Sequence, residues 1–265
     1  MNNVTIIIDG KKYQAEQGEP VLKAAKRAGV DIPALCYHEG LAAFGACRLC
    51  MVEVVAGGKK GMTISCTLAS VEGLEVKTDT EEIKGVRKGL MELYLAEAPD
   101  SDYIREMAAK YGVKESRFAS KQEKKKGAPE EKCVLCGLCV RACNEAVGAG
   151  VINFIGRGPE TKVNSAYQEP STKCFGCTAC ADVCPTKLIK ISDKKSSRTV
   201  ETWSQTSVEL HKCRICGEVV APDPLINEVH RKLKDLPDDL KDVCVKCRRR
   251  YRIQKLSHMN MAKKT

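Results

Sequence analysis

Apolar and polar positions alternate from the start of the chain, in VTIIIDGKKY. Residues 4–8 read as a strand, Asp9-Gly10 as a hairpin turn and residues 11–15 as the returning strand. The period then changes. Glu19-Pro20 opens a helix over residues 21–28, with Leu22, Ala25 and Ala28 on one face, and Gly29 closes it. An irregular loop follows, then a strand at MVEVV and a strand-like MTIS, which completes a small mixed domain over residues 3–78. Residues 83–96 and 102–111 carry the helical period, with Val86, Leu90 and Leu93 as apolar positions for packing. Residues 119–132, ASKQEKKKGAPEEK, read as a solvated linker or as a basic docking patch. Residues 193–204 form a second polar stretch, residues 224–233 a short helix and residues 236–240 a turn. No stretch approaches the ~18 uninterrupted apolar residues of a membrane span, and the alternating, Asp9-bearing start reads as a strand and not as an export signal.

Sixteen cysteines punctuate this pattern, far more than packing needs. Their C-x2-C clustering argues for metal rather than disulfides. Two runs, CVLCGLCVRAC (Cys133, Cys136, Cys139, Cys143) and CFGCTACADVCP (Cys174, Cys177, Cys180, Cys184), both have the spacing C-x2-C-x2-C-x3-C. That is the two-cluster ferredoxin run, in which the fourth cysteine ligates the other 4Fe–4S cluster. The expected sets are therefore Cys133, Cys136, Cys139 and Cys184 for one cluster, and Cys174, Cys177, Cys180 and Cys143 for the other. Gly137, Gly176 and Ala179 give the wrapped backbone room. Pro185 follows the second run as the pattern expects, and Asn144 stands where the first run usually has proline. Two zinc sites or a disulfide scaffold compete with this reading, but two full copies of the run speak against both.

Cys36, Cys47, Cys50 and Cys66 lie on the long loop of the first domain with spacing C-x10-C-x2-C-x15-C. Paired ligands on a long loop suit a 2Fe–2S rhombus, with zinc as the alternative. The knuckles Cys213-x2-Cys216 and Cys244-x2-Cys247, with Gly217 in the first turn, suit a four-thiolate zinc ribbon, or else rubredoxin-type iron. His211 and His230 are nearby candidates, but four cysteines already complete that coordination. No thiol is left over as a nucleophile. His38, in CYHEG, reads as a loop-shaping residue.

The charge of +10 invites a nucleic-acid reading, especially with the basic tail CRRRYRIQKLSHMNMAKKT. It counts every cysteine as neutral. Three all-thiolate clusters and a four-thiolate zinc would each carry about −2, which brings the loaded chain to roughly +2. The low aromatic content (four Phe, seven Tyr, one Trp) fits small domains that clusters staple together.

LCYHEGLAAFGACRLCMVEV, SCTLASVEGLEVKTDTEEIKGVRKGLMELYLAEAP and FIGRGPETKVNSAYQEPSTKCFGCTACADVCPTKLI resemble the N-terminal cluster-carrying region of the large iron–sulfur subunit of respiratory complex I. The same module occurs in FeFe-hydrogenases, in diaphorase subunits of NAD-reducing hydrogenases and in formate dehydrogenases. The resemblance covers residues 1–193. It implies an α+β chain: a β-grasp 2Fe–2S ferredoxin domain (1–79), a helical connector and linker (80–129) and a bacterial-type two-cluster ferredoxin domain (130–193). The zinc-ribbon-like module (205–255) and a basic tail (256–265) follow. One departure stands out. The family usually carries a further 4Fe–4S site with one histidine and three cysteines, and no His or Cys lies between Cys66 and Cys133 here.

There is no dinucleotide fingerprint, no Walker loop and no acid–base constellation, and VGAGV at 147–151 is no phosphate turn. The expectation is a non-catalytic electron-transfer subunit of a cytoplasmic oxidoreductase, in an anaerobic host. It would relay single electrons between an NAD(H)-linked flavoprotein, implied by the resemblance alone, and a further redox subunit. That subunit could be a hydrogenase, a formate dehydrogenase or a heterodisulfide-reductase-like unit. The alternatives are a free-standing ferredoxin-like carrier and a redox-sensing regulator that binds nucleic acid through residues 205–265.

Overall fold

A computed structural model describes residues 2–118, 132–233 and 242–251. The linker at 119–131, the turn at 236–240 and the tail beyond residue 251 lie outside the described residues.

The first sheet is built from β1 (Asn3–Ile8), β2 (Lys11–Glu16), β3 (Met51–Ala56), β4 (Gly61–Ile64) and β5 (Glu75–Lys77) in the order β2-β1-β5-β3-β4. The β1–β5 pair is parallel and the others are antiparallel. Asp9 and Gly10 both have positive φ, 49° and 77°, as a tight two-residue hairpin requires. The Asp9 carboxylate accepts from Thr78 N (2.8 Å) and Thr78 Oγ1 (2.6 Å), so the hairpin turn is locked to the strand end far away in sequence. Helix α1 (Val21–Arg27) packs Val21, Leu22, Ala24 and Ala25 into a core shared with Val4, Ile6, Ile8, Val52 and Leu74. Ala28, expected on that face, is exposed: it caps the helix, where the chain is already turning away through Gly29. Strand β4 ends at Ile64, one residue short of the expected MTIS, because Ser65 turns inward and its Oγ donates to Cys50 O at 2.7 Å.

Two helices follow, α2 (Glu81–Glu97) and α3 (Asp102–Lys110). Thr80 and Ser101 cap them by accepting from Ile83 N and Ile104 N, and acidic residues fill both first turns. The buried face of α2 is Ile83, Arg87, Met91 and Leu95, an i, i+4 series. Of the expected packing residues, Leu90 is half-buried against Met91 and its neighbours, whereas Leu93 is 49% exposed. The apolar count of α2 misleads because its central inward residue is an arginine.

The second half begins with α4 (Leu138–Arg141), which runs into a wider turn at Ala142–Val147. A hairpin of β6 (Ile152–Ile155) and β7 (Lys162–Ser165) and the short α5 (Ala179–Asp182) complete that region. Then comes a four-stranded antiparallel sheet in the order β11-β10-β9-β8: β8 (Ile191–Asp193), β9 (Ser197–Val200), β10 (Thr206–Lys212) and β11 (Val219–Pro222). Residues 193–204, expected as a polar exit, thus supply the end of β8 and all of β9. Helix α6 (Asp223–Lys232) packs on β10 and β11, and residues 245–251 are helical. Among the described residues, no helix is long and apolar enough to cross a membrane.

Candidate metal centres

The loop between α1 and β3, with the β4–β5 connection, brings Cys36, Cys47, Cys50 and Cys66 together, all buried. They form two pairs. The Cys47 and Cys66 thiols hydrogen-bond to Cys36 and Cys50 and pull each of these down to about 6, while the donors are pushed well above the ordinary thiol range. Backbone donors point at sulfur as well: Leu35 N to Cys47 Sγ and Cys47 N to Cys36 Sγ, both 3.4 Å. A two-plus-two set of thiolates with amide support is the donor chemistry a rhombic iron–sulfur group needs.

Side chains from outside the loop fix its shape. From α2, buried Arg87 donates Nε to Leu49 O (3.1 Å) and Nη2 to Met51 O (2.9 Å), and Tyr94 Oη donates to Cys47 O (3.2 Å). Arg141, at the end of α4, donates Nη1 to Cys36 O (3.2 Å) and Nη2 to Ala42 O, and its guanidinium lies 5.0 Å from the Phe44 ring centre. The charge of buried Arg141 also helps draw the Cys36 thiol down, after the Cys47 hydrogen bond. His38 accepts from Gly40 N at 3.1 Å, and so shapes the loop as expected.

The two ferredoxin-type runs enclose two cavities. One is lined by Cys133, Cys136, Cys139 and Cys184, and the other by Cys174, Cys177, Cys180 and Cys143. Each cavity thus takes its fourth sulfur from the other run. Burial pushes the Cys136 thiol up to about 12 and Cys180 to about 11, and raises Cys139 and Cys174. Burial of this kind favours a bound cation as the partner of each sulfur, and an all-thiol set fits iron. Amides aim at them here too, Gly176 N to Cys174 Sγ and Val151 N to Cys143 Sγ, both 3.4 Å. Gly176 (φ 63°) has no room for a side chain: an added Cβ would lie 2.5 Å from Val208 of β10. Arg198 of β9 clamps the same loop by donating to Gly176 O at 2.9 Å.

The three sites adjoin. Val134 and Cys136 pack in one core with Leu35, Cys36, Cys47 and Met91. Cys139 and Cys180 share the next core, around Val140, Ile152 and Trp203.

At the far end, the sulfurs of Cys213, Cys216, Cys244 and Cys247 all lie within 4.8 Å of one another, and Cys216 and Cys244 are 3.6 Å apart. Four thiolates at ~2.3 Å from a tetrahedral zinc would be about 3.8 Å apart, so the set needs little movement to close on a metal. Cys244 N donates to Cys213 Sγ at 3.3 Å and draws that thiol down to about 6, whereas burial among the other sulfurs pushes Cys247 up to about 12. Gly217 (φ 73°) makes the knuckle turn, with its N–H donating to Cys213 O at 2.8 Å. His211 is held by carboxylates outside the tetrad, Nδ1 at 2.7 Å from Asp223 and Nε2 at 3.0 Å from Asp242.

The cysteine spacing misses Arg87, Arg141 and Trp203. The arginines left one trace in the sequence, as charges inside apolar helical windows; Trp203 left none beyond being the chain's one tryptophan.

Residues 1–81 match the family described as a 2Fe-2S iron-sulfur cluster binding domain. The chain is 29% identical over 201 residues to an NADH-quinone oxidoreductase subunit from Rhizobium meliloti (strain 1021), over 69% of this chain and 23% of that protein. It is 25% identical over 270 residues to the NADH-ubiquinone oxidoreductase 75 kDa subunit of Reclinomonas americana, over 94% of this chain and 38% of that one. To the NADP-reducing hydrogenase subunit HndD of Solidesulfovibrio fructosivorans it is 30% identical over 210 residues, 70% of this chain and 36% of the other. The chain therefore spans between 23% and 38% of these curated relatives. Among solved structures, a chain of NAD+-reducing NiFe-hydrogenase in the H2-reduced state aligns with a TM-score of 0.54 and 30% identity, over 62% of this chain and 75% of that one.

Proposed function

We propose, for a chain that belongs to the iron–sulfur protein family of these NADH-dehydrogenase and hydrogenase subunits, that it is the electron relay of a cytoplasmic oxidoreductase complex. It passes single electrons between an NAD(H)-linked flavoprotein and a further redox subunit, and has no substrate site of its own. We assign a 2Fe–2S cluster to Cys36, Cys47, Cys50 and Cys66 in a β-grasp domain (1–79). A 4Fe–4S cluster falls to Cys133, Cys136, Cys139 and Cys184, and a second to Cys143, Cys174, Cys177 and Cys180, in a domain over 130–193. Zinc goes to Cys213, Cys216, Cys244 and Cys247. Bound clusters supply one-electron redox chemistry; the protein positions them and sets their potentials.

The observation that carries this reading is the Arg141 bridge. It ties the helix that bears Cys139 to the carbonyl of Cys36, which supports setting the first and second centres against one another. The absent histidine–cysteine site of the family is then no break in the path. The buried inner faces of α2 and α3 brace the cysteine loop, a structural use for a segment that carries no ligand. Residues 80–129 are thus assigned as connector, and the module at 205–255 as an end piece.

Native mass spectrometry of the anaerobically purified protein tests this. A chain with about ten irons and one zinc, bound to a flavoprotein, is the expected result. The same metals on a monomer would sink the complex and favour a mobile carrier. Salt-dependent nucleic-acid binding by the metal-loaded chain would favour a regulator instead.

A further inference from the structure

Trp203 is the one tryptophan of the chain and is 4% exposed. It lines both four-cysteine cavities. Its Nε1–H can only donate, is buried, and has no hydrogen-bond partner among the described residues. The turn that delivers it between β9 and β10 is strained: Ser204 and Gln205 both take left-handed φ, 51° and 54°. Hydrogen bonds hold that turn from several sides. Thr206 N and Oγ1 donate to Trp203 O at 3.0 and 2.7 Å, and Lys190 N donates to Thr202 Oγ1 at 2.9 Å. Ser204 Oγ donates to Asn164 Oδ1 at 3.0 Å. A strained turn so firmly pinned, carrying an unpartnered donor to a wall of sulfurs, marks a position with a task. Cys180 packs against the core that holds Trp203 and lines one of the two cavities with it.

We propose that Trp203 sets the potential of the centre held by Cys143, Cys174, Cys177 and Cys180, by donating its indole N–H to the Cys180 sulfur when that sulfur ligates iron. This rests on the 4Fe–4S assignment made above for those cysteines. Reduction adds one negative charge that the ligand sulfurs share. A hydrogen bond to one of them stabilises the more negative state and raises the potential. A single N–H serves a single sulfur, so the neighbouring centre should respond less.

The test is redox potentiometry followed by electron paramagnetic resonance on the metal-loaded full chain carrying Trp203→Phe, which keeps an aromatic ring and deletes the donor. At fixed potential, the reduced-to-oxidised ratio of that centre should fall about tenfold, a drop of about 59 mV for one electron, with iron content unchanged. Unmoved potentials with full iron content would overturn the proposal. Should the variant lose iron, the native chain decides. Indole-15N tryptophan labels one site only, and pulsed resonance of the reduced centre should show a 15N coupling and an exchangeable proton. Their absence overturns the role of Trp203 while leaving the cluster assignment standing. A native chain without 4Fe–4S signals would overturn both, and its missing iron would identify that case.

Discussion

Beneath β1–β5 the core is mostly aliphatic: Ile6, Ile8, Leu22, Val52 and Leu74 are nearly fully buried, and Cys50 and Cys66 are the two cysteines among them. Around Trp203 the balance shifts. Cys139 and Cys184 are among the buried residues there, and Cys133, Cys143, Cys174 and Cys180 pack against them. The first region can bury enough apolar surface to fold before it meets a metal. The second has cysteines as a large share of its core, so on the proposed assignment metal binding and folding should be coupled there. Both regions are proposed as cluster holders, but their cores differ in how far they consist of cysteine.

The largest effect expected from this contrast comes from removing iron altogether. In iron-free protein, amide exchange should stay slow across β1, β3 and β5, and become fast from residue 132 to about residue 190. Equal loss in both regions would erase the distinction. Next is Cys143→Ala. Iron should fall by about four per chain, from the centre that holds Cys174, Cys177 and Cys180, while the centre of Cys133, Cys136 and Cys139 assembles. Loss of the latter alone would show that each run keeps its own fourth ligand.

Arg87→Met probes how far the first region relies on its brace. It leaves the carbonyls of Leu49 and Met51 without their donor in a buried site, for a cost of about 2–5 kcal/mol, read as a lower denaturant midpoint of the loaded chain. A smaller contrast is kinetic. Cys216 is exposed whereas the first four cysteines are buried, so a chelator should strip the C-terminal tetrad first.

The smallest effect concerns acid. Arg27 donates to both oxygens of Glu19, at 2.5 and 3.0 Å, and holds its carboxyl below the ordinary range. A lowered folded pKa stabilises above the unfolded value of ~4.3 and is lost as pH falls through the folded one. Glu19→Gln should therefore lower the melting temperature at neutral pH and flatten its decline in acid.

The grouping of the cysteines was legible because iron–sulfur and zinc chemistry favour recurrent cysteine spacings, and the fold brings the same sets together. The β1–β2 hairpin was legible because a two-residue turn needs Asp-Gly or its like. Strand β5 was missed: three residues are too few to show a period, and its partners β1 and β3 lie far off in sequence. The face of α2 was misjudged because a buried arginine reads as surface. Trp203 was hidden for a related reason, since polar neighbours such as Ser204 and Thr206 spend their polarity on each other and on Asn164 rather than on solvent.

The antiparallel ladder from β8 to β11 has an evolutionary corollary. The recognisable ferredoxin pattern stops near residue 193, yet the backbone pairing begun there continues through Pro222. A recombination event that cut the gene at the motif's edge would orphan β8 and discard the residue that seals both cavities. The two parts are therefore one physical unit: β9 depends on β10 for its second pairing, and both cavities depend on Trp203 for part of their wall.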